Sequence, residues 1–263
     1  NPDSTAAVTA GSFRGVLPTV RFDVSPPLRD IPPAAIPYSP MLTGTATVDP
    51  ASGLEWIYPP KPQGPDLIVQ GSTGARGLSL APLRSFDGNI NVFGFNPPDP
   101  AGDVGPNHYV AMTNVTTQIF SKTGTSLLGP VANNTFWAGL GGECEIENAG
   151  DPIVIYDQFD DRWIVTQFTG AGPNYFNCVA ISTSPDPTGS YYRYAFGTGT
   201  AFPDYPKYGL WRDALYISTR EFGGPNVYAI GAYAINRAQL VAGNPSPQVL
   251  SFLVTTPDYD IGD

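Results

Sequence analysis

Lysine is almost missing from this chain, with only Lys61, Lys122 and Lys207 among 263 residues. Asp and Glu outnumber Lys and Arg by 23 to 13, giving a net charge of -10. Gripping a phosphate backbone needs clustered cations, so this balance excludes a nucleic-acid partner. Histidine occurs once, at His108, and cysteine twice, at Cys144 and Cys178, with no C-x-x-C or His-rich context. A zinc site of ordinary ligand count cannot be built from them. Any Ser-His-Asp or Cys-His arrangement would rest on His108, which sits in the turn "PNHYV" and reads as a polar residue opening a strand. No apolar run approaches the ~20 residues that a membrane-crossing helix needs. The opening "NPDSTAAVTAG" has neither a basic nor an apolar leader region, so the expectation is a soluble chain already trimmed of any signal peptide.

Charged residues make up only 14% of the chain, whereas Gly and Pro occur 29 times each. That composition starves long helices and suits many short strands joined by turns. Thirteen prolines fall within the first 66 positions, as in "SPPLRDIPPAAIPYSP". Proline at this density removes backbone donors and fixes φ, so residues 1–85 read as an extended arm. The arm carries Val16, Leu17, Phe22, Ile36, Tyr38, Met41 and Leu42, which a purely solvated linker would lack. It is expected either to pack along a domain or a neighbouring molecule, or to be a disordered linker.

Beyond the arm the chain repeats itself. "GDPIVIYDQFDDRWIV" and "PDYPKYGLWRDALYI" share a leading Asp, a nearby Pro, an apolar run, a polar turn and an aromatic strand. The spacing from Asp151 to Trp163 equals that from Asp204 to Tyr216. "PPDPAGDVGPNHYVAM" begins an earlier copy at Asp99, and "PDYD" begins another at Asp258. The leading aspartates are 52, 53 and 54 residues apart, a near-constant period. The middle copy predicts four strands near 152–156, 162–169, 177–183 and 190–196, separated by the turns "QFDD", "GAGPN" and "SPDPTG". Four antiparallel strands every fifty or so residues make a propeller blade. The fold class is therefore all-β: an incomplete β-propeller over 86–263, with blades at about 99–150, 151–203 and 204–257 and the start of a fourth from Asp258, behind the arm of 1–85.

The segments "PPDPAGDVGPNHYVAMTN", "IFSKTGT", "GDPIVIYDQFDDRWIVTQF", "CVAISTSPDPTGSYYRYAF" and "FPDYPKYGLWRDALYIS", in that order, resemble a group of large secreted bacterial proteins of sialidase-like or BNR-like β-propeller type. The resemblance covers about residues 86–263 and implies export and a propeller fold, with most of the group having no assigned reaction. "SPDPTGSYY" is similar to the Asp-box of sialidase-type propellers, with one extra residue and Tyr191 where Trp is expected. In that family the box is a structural turn, tied by its Asp and Ser, and implies no catalysis there.

Asp99, Asp151, Asp204 and Asp258 would each open the innermost strand of a blade and so ring one mouth of a central channel. Such a ring is a candidate site for Ca²⁺, held by Asp99, Asp151 and Asp204, or for the hydroxyls of a sugar. The alternative is that each Asp only accepts N–H bonds from its own turn. Trp163 and Trp211 fall at strand positions that inter-blade packing claims, which leaves Trp137 as the aromatic residue for contact with a glycan or partner. Arg162, Arg193, Arg212, Arg220 and Arg237 occupy non-equivalent positions and form no evident substrate clamp, while Glu143, Glu145 and Glu147 crowd one insertion that reads as a lid or a solvated loop. Cys144 lies just before the Asp151 copy and Cys178 in its third strand, so a disulfide is favoured over two buried thiols and implies an oxidising compartment. The pattern points to an extracellular, non-catalytic propeller that binds glycan, protein or its own copies through the arm. A glycan-active hydrolase or lyase of sialidase-like architecture is the alternative.

Overall fold

The computed structural model describes residues 12–34, 82–90, 97–223 and 228–254. Asp258 and Trp56 lie outside them. Two strands fall within the proline-rich arm, β1 (Ser12–Val16) and β2 (Thr19–Val24), followed by a 3-10 turn at Leu28–Asp30. Twelve more come in three sets of four. The first set is β3 (Ala101–Val104), β4 (His108–Thr113), β5 (Thr116–Ser121) and β6 (Ser126–Ala132). The second is β7 (Ile153–Asp157), β8 (Arg162–Phe168), β9 (Tyr175–Ser182) and β10 (Tyr191–Gly199). The third is β11 (Ala201–Leu210), β12 (Ala214–Gly223), β13 (Tyr228–Asn236) and β14 (Val249–Val254). Each set is an antiparallel meander, and none of the three sheets closes on itself. The strands of the middle copy match their expected positions to within about three residues. β11 differs: it starts at Ala201, so Asp204 lies inside the strand, at a bulge between Asp204 and Lys207, and does not open it.

The arm is not a separate appendage. β1 pairs antiparallel with β14, and β2 pairs antiparallel with β10, so one segment adds a fifth strand to the second and third sheets in turn. Pro18 stands at the crossing between the two pairings, where no strand donor is needed. Beyond β2, Ser25 exchanges hydrogen bonds with Tyr191, and Leu28 is buried in the core.

Strict alternation in the middle sheet explains its near-continuous apolar sequence. Trp163, Val165, Cys178, Ala180, Tyr191 and Ala195 point to one side, where they meet Val110, Met112 and Ile119 of the first sheet. Ile164, Val179, Ile181, Tyr194 and Phe196 point to the other, against Leu215, Ile217, Tyr233, Ile235 and Val249 of the third. A sheet buried on both faces has no polar face to show. The sheets are also tied by polar groups. Asp103 Oδ2 accepts from Tyr156 N at 2.7 Å, joining the first and second sheets. Arg237, which opens the short α2 (Arg237–Val241), forms an ion pair with the wholly buried Asp157 at 2.8 Å and with Asp160, joining the second and third. Gly105 is needed for close approach, because a Cβ there would lie 2.8 Å from the Trp163 ring.

The insertion after the first sheet is neither lid nor solvated loop. Its 3-10 turn Asn133–Trp137 and short α1 (Glu143–Ile146) sit against the middle sheet, with Phe136, Trp137 and Cys144 in the core. Glu145 Oε2 accepts from Gly141 N, and Glu147 Oε2 accepts from Gly170 N and Ala171 N, so two of its three glutamates hold loops in place. Cys144 and Cys178 are bonded, as expected, with Cα atoms 5.8 Å apart at a sequence separation of 34. Replacing both with alanine is expected to lower stability by about 2–4 kcal/mol, because the crosslink restricts the unfolded chain. Urea denaturation of the variant beside the oxidised parent measures the loss, and equal midpoints would refute it.

Candidate functional site

Each sheet has one non-glycine residue in the left-handed region immediately before a proline: Asp99 (φ 37°), Asp151 (φ 42°) and Tyr205 (φ 48°). A residue before proline is ordinarily extended. The bend precedes the first strand in the first two sheets and lies within β11, at its bulge, in the third, where the carboxylate stands one position earlier, at Asp204. The charges of Asp99 and Asp204 act on Asp151, and that of Asp99 acts on Asp204. Burial raises Asp151, the charges of Asp204 and Asp99 raise it further, and together they outweigh Lys207 and a backbone bond with Tyr205, so that its pKa rises from 3.8 to about 6. Asp204 is raised too, chiefly by burial, with Asp99 adding to it and Tyr205, Arg220 and Lys207 opposing.

Asn114, at the turn between β4 and β5, joins the first two carboxylate positions, and nothing in the repeat pattern singled it out. Its Nδ2 donates to Asp99 Oδ2 at 2.6 Å and to Pro97 O at 2.9 Å, while its Oδ1 accepts from Asp151 N at 2.8 Å. Tyr205, about half exposed, is the aromatic member of the cluster. Lys207 Nζ lies 3.5 Å from its ring centre and the Arg220 guanidinium 4.9 Å. The arrangement is a carboxylate triplet with two cations held over one phenol ring. Lys207 was legible as one of only three lysines; Tyr205 and Arg220 gave no sequence signal. Among the described residues no group of three or more His, Cys, Asp and Glu side chains is arranged to hold a metal ion.

Two expectations for tryptophan are reversed. Trp137, expected at the surface, is fully buried beside Phe136 and cannot meet a glycan or partner. Trp211, expected in packing, is 63% exposed in the turn between β11 and β12, edge-on to Phe159. Sequence order could not separate them, since both follow an apolar or aromatic neighbour and differ only in what the fold lays over them.

The other candidates have structural partners. Asp186 accepts from Thr188 N and Thr188 Oγ1, and Ser184 Oγ accepts from Asp186 N, so local side-chain bonds tie this hairpin. Burial alone would raise Asp186, but those Thr188 bonds with the charges of His108 and Arg29 hold it below the ordinary carboxylate value. His108 is the first residue of β4. Arg193 and Arg237 are buried in ion pairs. A depression of about 450 Å³ lies away from the carboxylates, where the arm crosses between sheets, lined by Val16, Leu17, Gln239 and Gln248 with no charged side chain.

The chain matches no family model, no curated protein and no solved structure.

Because Asp151 holds its proton more tightly when folded, the folded state binds more protons than the unfolded state between pH 3.8 and about 6. Stability from this group is therefore greatest at low pH and falls as pH rises through that window, by up to about 3 kcal/mol. Asp151→Asn keeps a residue that tolerates the left-handed region and removes the charge. Its stability relative to the parent is expected to be unchanged at pH 4 and higher at pH 8. Urea titrations from pH 4 to 8 measure the gap, and a constant difference across the range would rule out the raised carboxylate. Asn114→Ala is expected to cost about 1–3 kcal/mol, because buried polar groups in two loops lose their partner.

Proposed function

We propose that the three sheets are consecutive blades of a β-propeller and that the chain is an extracellular, non-catalytic binding module whose ligand meets the strand starts. The observation that carries this reading is that Asp99, Asp151 and Asp204, on three different sheets, lie close enough for their charges to act on one another. Innermost strands arranged around a common axis account for this. The resemblance to secreted sialidase-like proteins and the Cys144–Cys178 bond support an exported module. The outward face of the third sheet supports further repeats beside it. Tyr216, Phe222 and Phe252, with Phe13 of the arm, remain partly exposed there, whereas the middle sheet has both faces covered.

The chemistry at the strand starts favours a polyhydroxylated ligand. Carboxylates accept from sugar hydroxyls, Lys207 and Arg220 donate, and the half-exposed Tyr205 ring offers a flat apolar surface. A glycan array followed by calorimetry on the best binders tests this, with calcium titrated separately. Wild type is expected to bind one glycan class, and Asp204→Asn to weaken it at least tenfold. Absence of binding to any glycan would overturn the ligand assignment.

One observation favours a second reading, a glycan-active hydrolase. A carboxyl group raised to about 6 beside two others is what a general acid in glycoside hydrolysis requires. Turnover of fluorogenic glycosides, with a pH limb near 6 that disappears in Asp151→Asn, would replace the non-catalytic reading. No turnover with retained glycan binding would support it.

A further inference from the structure

The two sheets that receive the arm carry two buried charges of opposite sign, one on the edge strand β10 and one on β12 inside the third sheet, and the arm supplies the opposite charge to each. Arg193, on β10, is almost wholly buried and makes a two-pronged pair with Asp23 of β2, Nε to Oδ1 at 2.7 Å and Nη2 to Oδ2 at 2.5 Å. Its Nη1 donates to Phe136 O and Ala138 O. Glu221, on β12, is equally buried; it accepts from Tyr233 and pairs with Arg14 of β1 at 2.9 Å. Room for this carboxylate comes from Gly231, where a Cβ would collide with it. Between the two keys, Arg21 lies over Gly142, at which a Cβ would come 2.5 Å from Arg21 Nε. The backbone register fixes the same alignment, with Phe13 opposite Phe252 and Asp23 opposite Arg193.

A buried charge that loses its partner is strongly unfavourable. The arm-receiving sides of the two sheets are therefore a strand-accepting site that selects both sequence and direction, since a reversed or shifted strand would leave Arg193 and Glu221 without their partners. Strand addition supplies the affinity and the charge pairs supply the specificity. We infer that residues 12–34 are a charge-keyed strand pair, and that the edges of β10 and β14 accept this segment from a second copy of the chain as well as from their own. The contacts are identical in both cases. Residues 35–81 join the arm to the sheets, and a stretch of that length has a contour on the order of 150 Å, so the covalent link does not dictate which copy is filled. It only gives the chain's own arm a local concentration in the millimolar range. Exchange then arises when chains fold together at high concentration, giving arm-swapped assemblies at little cost in contacts. This inference is independent of what the carboxylate cluster binds.

Charge reversal in full-length chains tests it. Asp23→Arg has a mismatched arm and Arg193→Glu a mismatched edge, so each alone sets like charges together; mixed, each arm finds an opposite charge on the other chain. Each variant alone is expected to have its arm cleaved at least tenfold faster than wild type in limited proteolysis. Co-refolded at equal concentration, they are expected to give a heterodimer by native mass spectrometry, with the arm protected again. The double variant Asp23→Arg/Arg193→Glu is expected to protect its arm within one chain. A protected double variant with no heterodimer in the mixture overturns exchange, and an unprotected double variant or protected single variants overturn the charge key. Should the single variants not fold, wild type is refolded with excess synthetic peptide of residues 12–34. A chain-plus-peptide species supports capture in trans, and its absence rejects it.

Discussion

The middle sheet has two apolar faces, and covering both is the constraint on which the rest of the structure depends. At ~25 cal/mol per Å², a bare face of several hundred Å² forgoes stabilisation on the order of the entire net stability of a domain. The first sheet and its insertion cover one face, and the third sheet covers the other. The need for close approach on the first side explains why Gly105 lies against Trp163 and why Phe136, Trp137 and Cys144 are drawn inward. The disulfide then ties the insertion to β9.

Covering faces leaves edges, and open edges invite pairing with other chains. In this molecule the outer edges of the second and third sheets are filled by the arm. The proline-rich composition of the arm suits that role. A segment with few backbone donors forms no competing helix, and short strands on either side of Pro18 can serve two sheets in succession. Burying Arg193 on the edge strand β10 and Glu221 deeper in the third sheet makes the arm's position specific as well as favourable, because Arg14 and Asp23, nine positions apart, neutralise both.

The carboxylate cluster follows from the same stacking. Three sheets packed in succession bring the charges of Asp99, Asp151 and Asp204 within reach of one another, and each of these segments has a left-handed residue before proline. Gathering like charges in a partly buried space raises Asp151 and Asp204, and Lys207 and Arg220 offset this only in part. A group of carboxylates that repel one another is poorly explained by turn formation alone. Asn114 satisfies two of the loops, yet Asp151 keeps a raised pKa.

Local rules of the sequence were enough for the strands. β-branched and aromatic runs broken by Asp, Pro, Gly and Asn set the four-strand units, the near-constant spacing of Asp99, Asp151 and Asp204 set their number, and the isolation of Cys144 and Cys178 set their pairing. These depend on neighbours within a few residues or on a repeat visible by eye. What only the tertiary structure decided depends on which face meets which. Trp137 is buried because the insertion folds under the middle sheet, while Trp211 is exposed in the β11–β12 turn. Asn114 gained its role because the turn it occupies falls between two loops far apart in sequence. No sequence pattern marks Arg14 and Asp23, since their partners stand 207 and 170 residues away (221 minus 14 and 193 minus 23). Composition and periodicity report local preference. Long-range charge pairing appears only once packing has removed water from around the partners, and no pattern in the chain encodes that distance.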